Sequence, residues 1–180
     1  MIFTQTKLEG AYLINIQKQE DERGFFARIW CQREFYEHGL NPQLVQCNVS
    51  YNEKKGTLRG MHFQASPHQE AKLVSCIRGE MFDVIIDLRS GSPSYTEYLS
   101  VNLTNEEHNM LYVPEGFAHG FLTLMDDTIV SYQMSDFYAP EFSRGVRWND
   151  PTFGIEWPIK VKVISVRDAN IPDFTFQGEV

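Results

Sequence analysis

Basic residues are scarce in this sequence: 16 lysines and arginines stand against 24 aspartates and glutamates, a formal net charge of −8 over 180 residues. A surface for nucleic acid or an anionic membrane needs a basic excess, so neither is expected as a partner. A small anionic ligand stays open, because a few arginines can reverse the sign inside one pocket. Cysteine is sparse as well. Cys31, Cys47 and Cys76 are odd in number and carry no CxxC spacing, which suggests neither a disulfide framework nor a zinc knuckle. No apolar run approaches the roughly 18 residues needed to span a bilayer. The opening "MIFTQTKLEG" has no basic segment leading into a long apolar stretch, so a secretion signal is not expected and the expected setting is the reducing cytoplasm. Helix signals are few: "CQREFYEHG", ending at Gly39, and one turn after Pro140.

Aromatic and β-branched residues, by contrast, are plentiful, with thirteen Phe and eight Tyr. Turn signals such as "DERG", "NEKKG", "SGSPS", "PEG" and "NDP" recur along the whole chain. Between them lie short runs: "AYLINI", "FFARIW", "KLVSCI", "MFDVIIDL", "EYLSVNL", "MLYV", "GFLTL" and "TIVSYQM". Strands at intervals of about 8–12 residues point to an all-β sandwich or barrel with a few short helices. "MFDVIIDL" hardly alternates, so it reads as a strand buried on both faces. No linker, repeat or low-complexity segment interrupts the chain, and residues 1–180 are expected to form one domain.

The stretch "GTLRGMHFQ" combines a cation at Arg59 with a titratable ring at His62. In a regular strand these two positions face opposite sides. Gly60 between them can bend the strand or insert a bulge and so bring them together. Further on, "PEGFAHG" has the P-x-G-x-x-H spacing of a cupin motif and supplies His119. Two chemistries are open to these histidines. With His68 or Glu70 they form a facial metal set, although the usual H-x-H is broken by Phe63 and Gln64. Without metal they suit acid–base work near neutral pH, with Tyr132 as a candidate acid and Lys72 as an electrostatic partner for an oxyanion. Taken singly, Lys72 reads as a snorkelling residue at a strand start and Tyr132 as core packing.

Together, the motifs resemble the dTDP-4-dehydrorhamnose 3,5-epimerase family. The matching pieces are "DERGFF", "QCNVS", "GTLRGMHFQ", "AKLV", "RGEMFDVIIDLR", "YVPEGFAHGF", "VSYQMSDFYAP", "RWNDPTFGIEWP" and "SVRDA", in that order and over nearly the whole chain. The resemblance implies a cupin-type double-stranded β-helix, a jelly-roll barrel. It also implies cofactor-free epimerisation of a 4-keto-6-deoxy nucleotide sugar at C3, C5 or both, for rhamnose-like deoxysugar and surface polysaccharide synthesis.

By the same resemblance, His62 is the general base, Asp168 its dyad partner, Tyr132 the acid on the opposite face and Lys72 the holder of the enolate oxygen. Arg23, Phe26, Gln46, Asn48, Arg59, His119, Tyr138 and Arg167 inherit substrate contacts, and Asp83 a supporting role. No metal and no cofactor are implied, and a homodimer is, in which the N-terminal segment lends a strand and site residues to its neighbour. Four positions depart from the family pattern. Arg28 and Ser143 stand where glutamates are usual, Cys47 replaces an acidic residue, and Arg167 replaces a lysine. Arg28 and Ser143 fall among nucleotide contacts, so a weakened thymidine preference is expected. A metal-dependent cupin enzyme and a non-catalytic sugar-nucleotide-binding barrel are the alternative readings.

Overall fold

The computed structural model describes residues 1–175. Its first eight strands are β1 (Ile2–Gln5), β2 (Tyr12–Asn15), β3 (Gln19–Asp21), β4 (Gly24–Phe26), β5 (Gln46–Asn52), β6 (Thr57–Gln64), β7 (Lys72–Arg78) and β8 (Glu80–Asp87). The rest are β9 (Tyr98–Thr104), β10 (Asn109–Val113), β11 (Phe117–Thr123), β12 (Thr128–Met134), β13 (Ser143–Gly145) and β14 (Val163–Ile164). Two short helices, α1 (Gln32–Glu37) and α2 (Val166–Ala169), and a 3-10 turn at Pro140–Phe142 supply the helical content. Both helical signals of the sequence are present; α2 was not among them.

One sheet runs β1-β2-β10-β7-β12-β5. The other runs β13-β6-β11-β8-β9, with β14 added in parallel to β6. Neighbours distant in sequence, such as β2 beside β10, are the crossovers of a jelly roll, and the fold is the expected cupin-type barrel. Val74, Leu111 and Val130 of the first sheet meet Ile85, Leu103 and Phe121 of the second, all almost fully buried. Burial of such side chains stabilises by about 1.5–3 kcal/mol each.

Strand β8 explains its own lack of alternation. Met81 and Ile85 enter the core between the sheets, whereas Val84 and Ile86 pack outward beneath Val146 and Phe153. Both faces are therefore covered. On the outer side of the first sheet, Phe35 of α1 packs edge-on against Tyr112, with ring centroids 5.8 Å apart. One strand reading needs correction. "FFARIW" is extended only through Phe26, because the chain leaves its two-residue turn and heads into α1. "AYLINI" supplies β2, which lies between β1 and β10 and is paired on both sides.

The parity problem in "GTLRGMHFQ" is resolved by a bulge. His119 pairs with His62 and Phe121 with Arg59, so two steps along β11 match three along β6. The extra residue turns Arg59 and His62 toward the same side. Gly60 adopts φ +136, and a Cβ there would stand 2.5 Å from Gly120 Cα. Gly60→Ala is thus expected to lose about 3 kcal/mol or more, combining backbone strain with overpacking. Urea unfolding measures it. A loss under about 1 kcal/mol would mean that the bulge yields easily.

Candidate active site

Between the two sheets lies a cavity of about 670 Å³. One wall carries Asn48 and Ser50 of β5, Lys72 of β7 and Tyr132 of β12; the facing wall carries Arg59 and His62 of β6 and His119 of β11. Tyr138, Ser143, Arg167 and Asp168 also line it, from the segments that follow β12.

His62 Nε2 lies 2.7 Å from Asp168 Oδ1, across 106 positions of sequence. Strand β14 makes this meeting possible. Val163 and Ile164 pair with Thr57 and Leu58 at the start of β6, and α2 then sets Asp168 beside Gly60 and His62. Ser165 caps α2, its hydroxyl accepting from the Asp168 N–H at 3.0 Å, and the Gly60 N–H donates to Asp168 Oδ2 at 3.4 Å. Burial works to raise the Asp168 pKa. The His62 hydrogen bond and charge, helped by Gly60 and Ser165, outweigh it and hold the carboxyl below its ordinary value. Asp168 is therefore an anion across the neutral range.

A second histidine–carboxylate pair lies deeper. His119 Nε2 is 2.6 Å from Asp83 Oδ1, and Asp83 is fully buried, its Oδ2 without a hydrogen-bond partner among the described residues. Burial pushes the Asp83 pKa up, while His119 and, more weakly, Lys72 pull it down. Lys72 itself is only 6% exposed. The snorkelling reading of its position fails, because β7 enters the sheet at this residue and turns the side chain into the cavity. Its Nζ lies 3.1 Å from Glu70 Oε1 and donates to the His62 carbonyl at 3.3 Å. Tyr132 stands edge-on to the His119 ring at 6.2 Å. Burial drives its hydroxyl pKa well above the ordinary value, Ser50 opposing by a hydrogen bond and Asp83 adding a smaller push. The phenol keeps its proton at neutral pH.

The family model for dTDP-4-dehydrorhamnose 3,5-epimerase matches residues 5–175. The chain belongs to that family. A relative from Methanothermobacter thermautotrophicus named dTDP-4-dehydrorhamnose 3,5-epimerase is 44% identical, over 93% of this chain and 91% of its own. The crystal structure of the enzyme of that name from Elizabethkingia anophelis aligns with a TM-score of 0.94 at 38% identity, covering 97% of this chain and 96% of the other. The one from Bacillus anthracis, with TDP and PPi bound, aligns at 0.92 and 36% identity, covering 96% and 99%.

Within this epimerase, the cavity gathers most of the residues singled out from sequence: His62, Asp168, Tyr132, Lys72, Asn48, Arg59, His119, Tyr138 and Arg167. Gln46 is not in the lining but bonds to two residues that are, accepting the Tyr138 N–H at 3.2 Å and donating to Asn48 at 3.3 Å. Arg23 and Phe26 are not brought in. They sit on the β3–β4 hairpin, where Arg23 pairs with Asp21 and Phe26 is 72% exposed. Arg28 is also outside the cavity, 2.6 Å from Glu34, while Ser143 lines it and accepts from Arg167 Nη2 at 2.9 Å.

The facial metal set considered from sequence is not assembled. His62 is taken by Asp168, His119 by Asp83 and Glu70 by Lys72, and His68 pairs with Asp136 away from the cavity lining. Among the described residues no three His, Cys, Asp or Glu side chains are placed to hold a metal ion. No helix of those residues is long and apolar enough to cross a membrane. Two cavity residues escaped the sequence reading of the acid–base site. Ser50 had no distinguishing signal, and Glu70 was weighed only as a metal ligand. The capping pattern Ser165-x-x-Asp168 was the available signal for α2.

Proposed function

We propose that this epimerase acts as one catalytic domain, in the cytoplasm, on a 4-keto-6-deoxy sugar carried on thymidine diphosphate, inverting C3 and C5 through an enolate. The product feeds rhamnose-like deoxysugar and surface polysaccharide synthesis. What carries this reading is the placement of His62 and Tyr132 on facing walls with Lys72 in the same cavity.

The ketone at C4 acidifies the neighbouring C–H bonds. Asp168 occupies Nε2 of His62, which leaves Nδ1 to take the proton. The electron pair of the broken C–H bond moves onto the C4 oxygen, where the Lys72 ammonium holds it, an oxyanion-hole task in a shielded site. Tyr132 then delivers its proton to the opposite face, the enolate electrons return to carbon, and the configuration is inverted. His62 gives up its proton and Tyr132 regains one by exchange with solvent. Proton transfer of this kind is redox-neutral, so no electron carrier enters, and Lys72 takes the charge that a metal would otherwise hold.

Arg59, its Nε donating to Asn52 Oδ1 at 2.8 Å, presents a fixed guanidinium to the diphosphate. The TDP bound by the Bacillus anthracis relative supports the thymidine carrier. Arg28 pairs with Glu34 outside the cavity, so of the two substitutions only Ser143, which lines the cavity, still bears on base preference.

Incubation in deuterium oxide with dTDP-4-dehydro-6-deoxyglucose, followed by NMR, tests the reading. Deuterium is expected at both C3 and C5; no incorporation by folded protein would leave a binding barrel. The working form proposed is a homodimer in which Arg23 and Phe26 of the exposed hairpin reach the partner's cavity. Light scattering at low micromolar concentration is expected to give twice the 20.9 kDa of the chain. A monomer mass would overturn it.

A further inference from the structure

From its residue type Glu70 is a candidate metal ligand, and none of the proton-transfer steps uses it. Yet it is buried in the cavity wall, with its side chain 7% exposed, against Lys72 at 8%. A carboxylate and an ammonium at this depth are costly to desolvate unless they pair.

We propose that Glu70 is a positioning residue for the epimerisation, holding the Lys72 ammonium where the C4 oxygen gains its charge. This rests on the epimerase reading given above. The geometry is a count of donors. An ammonium has three N–H groups. One donates to the His62 carbonyl at 3.3 Å, and the ammonium forms an ion pair with Glu70 Oε1 at 3.1 Å, which leaves N–H capacity for the substrate oxygen. The His62 carbonyl ties Lys72 to the backbone of the base itself. Glu70 supplies the second anchor, and two anchors fix the direction of the third bond.

A competing carboxylate is available. Asp83 feels the Lys72 charge weakly and has one carboxylate oxygen, Oδ2, that nothing among the described residues satisfies. Without Glu70, the ammonium is expected to turn toward Asp83, away from its working direction. Glu70 thereby decides which of two buried carboxylates the lysine leans on. The pair is also local, two residues apart along the chain, so its geometry follows the start of β7 and not a mobile loop.

Glu70→Gln keeps the size and an acceptor oxygen while removing the charge. Because the bound ketone lacks the charge that develops on the way to the enolate, loss of alignment is expected in kcat and not in KM. A tenfold or greater fall in kcat is expected, with KM within twofold and the thermal midpoint within a few degrees of wild type. Glu70→Asp, which keeps the charge on a shorter arm, is expected to recover part of the loss. In a Lys72→Met background, Glu70→Gln is expected to change kcat less than twofold, since the two residues act as one unit. A crystal structure of Glu70→Gln is expected to show Lys72 Nζ moved toward Asp83.

Unchanged kcat in Glu70→Gln overturns the proposal, as does a rise in KM alone, which would make Glu70 a binding contact. A lowered midpoint with normal turnover per folded molecule overturns it too, leaving a structural pair. If wild-type protein exchanges no deuterium, the epimerase reading fails by itself. The Lys72 position in the variant crystal still decides this inference, and an unmoved Nζ sinks it.

Discussion

His62→Ala is expected to abolish deuterium incorporation at both C3 and C5 while the protein remains folded. Removal of a positioned general base costs roughly 10²–10⁴-fold in rate. His62 lies in a cavity wall and its side chain is 38% exposed, so its truncation opens no sealed void. Asp168 keeps its hydrogen bond from the Gly60 N–H, and its own N–H still reaches Ser165, so the local structure has other supports. The assay is proton exchange by NMR, normalised to folded protein by thermal denaturation. Exchange near the wild-type rate would move the base to His119, the cross-strand partner of His62 and the next histidine on the cavity wall.

Tyr132→Phe separates the two halves of the reaction. The ring contacts with His119 and Phe121, at 6.2 and 6.3 Å between centroids, are those a phenylalanine keeps, so packing should survive. What goes is the hydroxyl that burial holds protonated. Deprotonation by His62 should continue, and the enolate should return to substrate by taking its proton back on the original face. Product formation is expected to fall about 10²-fold or more, and washout of deuterium from labelled substrate much less. The raised pKa of Tyr132 adds a pH expectation. Its ionisation should not cause a decline in wild-type activity between pH 7 and 9, because the acid form persists through that range. Equal loss of product and washout in the variant would assign Tyr132 to binding or packing.

The strands were legible because a barrel buries its inner face and turns at short intervals. "TIVSYQM" corresponds residue for residue to β12, and "MFDVIIDL" reads as doubly buried because Val146 and Phe153 cover its outer side. "FFARIW" misled because its apolar content serves α1 and an exposed hairpin instead of one continuous strand. The site was legible in kind: residue types alone nominated His62, His119, Tyr132 and Lys72, and the family motifs added Asp168. Individual side chains carried no such mark. Lys72 looks like a surface lysine until β7 is placed, and Glu70 looks like a metal ligand until Lys72 is found to occupy it.

The sequence by itself determined the all-β class, the family and the chemical types in the cavity, since hydrophobic period, turn residues and motif order are local properties of the chain. Three things were decided only by tertiary structure. The bulge at Gly60 puts Arg59 and His62 on one side, and it exists because β11 offers two positions against three. Asp168 meets His62 because the parallel pairing of β14 with β6 carries α2 across 106 residues of separation. Base and acid face one another because they lie on different sheets, and only the packing of one sheet on the other sets which face each reaches. Contacts between distant segments depend on which strands become neighbours, and no local pattern encodes that.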